Sequence, residues 1–115
     1  MLEGAILIIR SDHGDGSRLY EALRLSAAML GMDVQPNLVF LDKGVECLRT
    51  GKLKKTETWD YLLASTELAN VYVLSDSLRE RGLDIQDLDS RLELTELDMK
   101  RLAQMMADGA VMATF

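Results

Sequence analysis

Two side chains in this sequence offer ready chemistry near neutral pH: Cys47 is the only cysteine and His13 the only histidine. Cys47 stands in GVECLRTG, with Lys43, Arg49, Lys52, Lys54 and Lys55 close in sequence. Neighbouring cations and a helix start favour a thiolate, which makes Cys47 the candidate catalytic nucleophile. Against this, a lone cysteine flanked by Val45 and Leu48 on a short helix usually packs as a small hydrophobe. His13 lies in residues 11–17, SDHGDGS, a glycine-rich turn. Ser11, His13, Ser17 and Arg18 are the candidate ligand-binding residues there, because backbone amides and a helix start suit a small anion. The same glycines and aspartates serve a tight turn with no ligand at all. The segment lacks the Gly-Lys-Ser/Thr ending of a P-loop, and its GDG is too short for a dinucleotide fingerprint. Asp12 and Asp42 follow the first two apolar runs, as in an acidic metal pocket of the receiver-domain kind. That pocket also needs a lysine at the last strand, and no lysine follows Lys100.

Composition narrows the classes. With 115 residues, 13 Lys and Arg stand against 19 Asp and Glu, a net charge of −6. A chain of this length forms one domain, residues 1–115, and buries roughly two-thirds of its unfolded surface. The acidic balance argues against direct nucleic-acid binding, which draws on phosphate neutralisation by Lys and Arg. One cysteine makes no internal disulfide, and one cysteine with one histidine does not supply a zinc site, so neither metal nor cofactor is expected. No apolar run approaches the roughly 20 residues of a membrane span, and residues 1–10 lack a signal peptide's features. The expected location is the cytoplasm.

The elements that must position these residues alternate in period. Residues 4–10 (GAILIIR) form a near-continuous apolar run, as in a strand covered on both faces. Residues 17–32 carry Leu19, Ala22, Leu23, Ser26, Ala27 and Leu30 on one helical face, with Gly31 as a stop. Residues 37–41 (NLVFL) read as a second strand, followed by a short helical piece to about Arg49 and a polar, lysine-rich loop over 50–56. A helix over 57–69 precedes a third strand, residues 70–74 (NVYVL). Ser75 or Ser77 is a candidate cap for the helical turn that ends at Arg81 and Gly82. Residues 91–94 (RLEL) suggest a fourth strand, and Thr95 with Asp98 a capping box opening a helix to Ala107. Residues 110–114 (AVMAT) close as a fifth. Met29, Met32, Met99, Met105, Met106 and Met112 fall at core-like spacing, suited to core filling or a subunit contact. The alternation implies right-handed crossovers: an α/β fold, a three-layer α/β/α sandwich on a mostly parallel sheet of about five strands. Strand order stays open.

The residues carry a further resemblance. The first strand and loop lead into a helix containing ALRLS, close to a recurrent ALRLA pattern. The second strand then ends in an Asp-x-Gly-Val turn, Asp42 to Val45. With SLRERGLD over 77–84 and the ending AVMATF, the chain resembles the DsrE/DsrF-like family, which includes the TusB, TusC and TusD sulfur-relay subunits. The resemblance implies a three-layer α/β fold, homo-oligomers or hetero-oligomers of related subunits, and handling of sulfur as a cysteine persulfide. It implies a carrier cysteine at the end of the strand before the LR-x-RG helix. That place falls near Leu74, and residues 71–77 contain no cysteine. The reading that follows is an accessory, non-catalytic oligomeric subunit in intracellular sulfur handling, with a sulfur donor or acceptor protein as partner. The alternatives are a sulfurtransferase or persulfide carrier using Cys47, and an anion or nucleotide binder using residues 11–17.

Overall fold

The computed structural model describes residues 4–12, 16–53, 56–108 and 111–115, with the side chains of Gly16 and Ser17 also outside the description. In chain order the elements are β1 (Ala5–Ile9), α1 (Gly16–Gly31), β2 (Pro36–Phe40), a 3-10 turn (Asp42–Leu48), α2 (Glu57–Leu68), β3 (Asn70–Leu74) and α3 (Ser75–Glu80). A second 3-10 turn (Ile85–Asp87), β4 (Thr95–Leu97), α4 (Met99–Ala107) and β5 (Val111–Thr114) follow. The sheet has the order β4-β3-β2-β1-β5. All four pairings are parallel. Helices lie on both faces, so the expected α/β sandwich is the observed fold. No helix among the described residues is long and apolar enough to cross a membrane.

The two faces are filled unequally. On one, Leu7, Ile9, Leu38, Phe40, Val71 and Val73 meet Leu19 and Leu23 of α1, Leu62 of α2 and Leu78 of α3. On the other, Ile6, Val39, Leu74 and Leu97 meet Leu102 of α4, with Ile8, Tyr72 and Met105 partly buried beside them. The pleat explains the division, since successive strand side chains point to opposite faces. Tyr20 and Tyr61 lock α1 to α2 edge to face, with ring centres 5.5 Å apart, a geometry favoured by the ring quadrupoles.

Four expectations are corrected. Residues 91–94 form no strand: Asp89 Oδ1 accepts from the Arg91 amide at 3.0 Å, which turns the chain there, and the fourth strand comes later, at Thr95–Leu97. The cap of α4 is Asp98, whose carboxylate accepts from the Arg101 amide at 2.7 Å, leaving Thr95 inside the strand. Neither serine caps α3; Ser75 donates to Glu96 at 2.9 Å, and Ser77 Oγ accepts from the Asp42 amide at 2.9 Å. Of the two roles expected for the methionines, core filling fails for Met32, Met99, Met106 and Met112, which are exposed, and the subunit contact is untouched by this. The methionine pattern on α4 follows the three-four spacing of an apolar stripe, but only Leu102 of that stripe is buried and Met105 partly so. Gly82 does take the left-handed conformation expected of it, with φ 66°.

Candidate functional site

In an open parallel sheet, ligands are met at the carboxyl ends of the strands. Here the ends of β1, β2 and β5 open onto a cleft of about 530 Å³ lined by Arg10, Ser11, Arg18, Asp42, Lys43, Arg81 and Thr114. Its floor is fixed by backbone pairing. The Phe115 carbonyl accepts from the amides of both Arg10 and Ser11, at 3.1 and 3.2 Å. Those two amides are therefore committed to the sheet, and the described lining of the cleft is made of side chains from five separate segments.

Asp42 organises the cleft. It is a non-glycine residue at φ 50°, a conformation that aspartate tolerates better than most residues. Three contacts hold it there. Its amide donates to Ser77 Oγ, its carbonyl accepts from Arg81 Nε at 2.9 Å, and its carboxylate pairs with Arg10 Nε at 3.0 Å. Two residues on, Gly44 passes so close to β1 that a Cβ built on it would lie 2.1 Å from the Ile9 carbonyl oxygen. The Asp-Lys-Gly-Val turn thus needs glycine for space at its third position.

Of the residues singled out in the sequence, the ligand candidates Ser11 and Arg18 meet at this cleft with Asp42 and Lys43. His13 lies outside the described residues, as does the side chain of Ser17. Cys47 lies beneath the rim, 1% exposed and packed within the cluster that contains Phe40 and Leu48. Its Sγ sits 3.6 Å from the Ser11 carbonyl oxygen as donor. Burial pushes the thiol up to about 12, helped by the negative charge of Asp12; Lys52 opposes this and is outweighed. Among the described cations near Cys47 in sequence, none offsets this, because desolvation dominates. Leu74 ends β3 at 3% exposure, and it belongs to the opposite core cluster. Arg10 and Arg81 were not singled out. Their signal was available: each stands at the end of a strand or helix that reaches the rim. No group of three or more His, Cys, Asp or Glu among the described residues is placed to hold a metal.

The comparison with protein families settles the lineage: a model of the DsrE/DsrF-like family matches residues 4–115. The chain belongs to the DsrE/DsrF-like family. Two solved structures share the fold of this DsrE/DsrF-like chain. A protein of unknown function from Methanobacterium thermoautotrophicum, MTH1491, superposes with a TM-score of 0.72 at 18% identity, over 96% of this chain and 99% of its own. The ychN protein from E. coli gives 0.72 at 19% identity, over 97% and 99%. No curated protein matches the chain in sequence.

Proposed function

We propose that this chain is an accessory, non-catalytic subunit of a cytoplasmic sulfur-handling assembly, joined to copies of itself or to related DsrE/DsrF-like chains. The observation that carries the reading is the end of β3. The family resemblance puts a carrier cysteine near there, whereas this chain has Leu74, which is buried, and no cysteine in residues 71–77. A leucine cannot hold a persulfide. The thinly covered face of the sheet supports association. Met112 pairs with Ile6 in register and so shares its face, yet remains 45% exposed, while Met99 and Met106 flank buried Leu102 on α4.

Two measurements test this. Light scattering on the purified protein is expected to give more than a monomer at micromolar concentration, alone or with a related chain; a strict monomer that recruits no related chain sinks the subunit reading. Intact-mass spectrometry after exposure of the folded, reduced protein to a persulfide donor is expected to show no added sulfur. A gain of one sulfur that Cys47→Ala abolishes would instead make Cys47 a carrier and replace the accessory reading with the sulfurtransferase one.

A further inference from the structure

The cleft at the sheet's carboxyl rim is cationic in a chain whose net charge is −6. Among its described lining residues, Arg10, Arg18, Lys43 and Arg81 are cationic and Asp42 is acidic. They arrive from four separate places: the end of β1, the start of α1, the turn after β2 and the residue that follows α3. Charges of one sign gathered from separate segments repel one another and favour a negative guest. Asp42 answers only part of this. It engages Arg10 and Arg81 each through Nε, by its carboxylate and its carbonyl respectively. Among the described residues, the terminal nitrogens of Arg10 make no hydrogen bond. Those of Arg81 have only a 4.0 Å approach to Glu46. Lys43 is exposed and forms no ion pair with any described residue.

We infer that this cleft is a binding site for a tetrahedral oxyanion of the phosphate or sulfate type, free or as the terminal group of a larger molecule. Guanidinium forks match such an anion in two-pronged fashion, and a lysine adds a mobile point charge. Asp42 is the organiser rather than a ligand. By taking the Nε of both arginines it sets their planes and leaves the forks available. The volume of about 530 Å³ falls among small-molecule sites, which run roughly 300–1,000 Å³, and exceeds what one bare oxyanion fills. The inference rests on side chains, so it differs from an amide-lined turn in residues 11–17. It also stands whether or not the chain handles sulfur.

The test is thermal unfolding and calorimetric titration of the full chain with sodium phosphate, sodium sulfate and ribose 5-phosphate, each against sodium chloride at equal ionic strength. A ligand that binds only the folded state raises the melting temperature saturably. The expected result is such a rise with the oxyanions and none with chloride. Lys43→Gln and Arg10→Gln are expected to weaken binding at least tenfold, while Arg101→Gln, on the exposed surface of α4, leaves it unchanged. Tighter binding of ribose 5-phosphate than of inorganic phosphate assigns the site to an esterified ligand; equal binding assigns it to the free ion. A response that chloride reproduces, or unchanged affinity in Lys43→Gln, overturns the inference. Lys43→Gln breaks no ion pair among the described residues, so a folded variant is expected, and circular dichroism verifies it.

Discussion

The Cys47 thiol donates to the carbonyl oxygen of Ser11 across 3.6 Å. One end of this contact lines the charged cleft, and the other is sealed in the apolar core. The cysteine is therefore one residue away from a solvent-facing rim without being part of it. It is also separated by the sheet from Leu74, which packs on the other face.

Cys47 is expected to resist alkylation by iodoacetamide in the native protein at pH 7.5 and to react fully in 6 M guanidinium chloride. Rapid native labelling would mean that the thiol opens to solvent. Its titration also couples to folding. The thiol is raised from 9.0 to about 12 in the folded state, so the unfolded chain loses its proton first as pH rises. The stability linked to this group is complete below pH 9 and is lost as pH climbs towards 12. Urea midpoints between pH 8 and 11 should fall more steeply for the native sequence than for Cys47→Ala.

Gly44→Ala is expected to destabilise by about 3 kcal/mol, the upper end of the cost of overpacking. The obstacle is the Ile9 backbone carbonyl at 2.1 Å rather than a side chain that can swing aside. Urea denaturation measures the loss. A neutral result would show that the turn can lift from β1 freely.

Ser26 is fully buried in α1, and its hydroxyl has no hydrogen-bond partner among the described residues. Ser26→Ala should raise stability by about 1 kcal/mol, because it removes an unpaired buried polar group and improves helix propensity. A clear loss of stability on denaturant titration would reveal a partner for that hydroxyl.

The Asp89 carboxylate is nearly fully buried and takes two hydrogen bonds from the Arg91 side chain, at 3.0 and 2.8 Å. The Arg91 guanidinium in turn lies 4.7 Å from the Trp59 ring centre. Hydrogen bonding from Arg91 holds the Asp89 pKa below its ordinary 3.8, against the opposing pull of burial. The carboxylate therefore adds stability that is present above pH 4 and lost as pH falls through the lowered value. Asp89→Asn should cost about 1–2 kcal/mol at pH 7, with the gap to the native sequence closing towards pH 2. A gap independent of pH would place the effect in packing rather than charge.

The architecture was legible because its signals are local. The apolar runs at Ala5–Ile9 and Asn70–Leu74 and the three-four spacing around Leu19 and Leu23 each name an element within a few residues. The fourth strand was misplaced because RLEL carries strand-like residues, while the turn that excludes it depends on the Asp89 side chain and its hold on Arg91. Propensity does not record such a contact. The candidate site was half legible. Ser11 and Arg18 follow from the rule about strand ends, whereas Arg10 and Arg81 are drawn together by Asp42 across 32 and 39 residues. Cys47 shows the limit most clearly, since charge near it in sequence is visible and its burial is not.

The strand order β4-β3-β2-β1-β5 has a consequence for how the chain comes to be folded. The first four strands add outward in sequence order from β1, each beside its predecessor, and can assemble progressively as the chain emerges from the ribosome. The opposite edge of β1 stays bare until β5 arrives, with Val111 beside Ala5 and Thr114 beside Ile8. During synthesis that apolar edge is the one open to a stray strand from another chain. The same late closure brings the Phe115 main-chain oxygen to the amides of Arg10 and Ser11, so the charged cleft takes shape only after the other four strands can have paired.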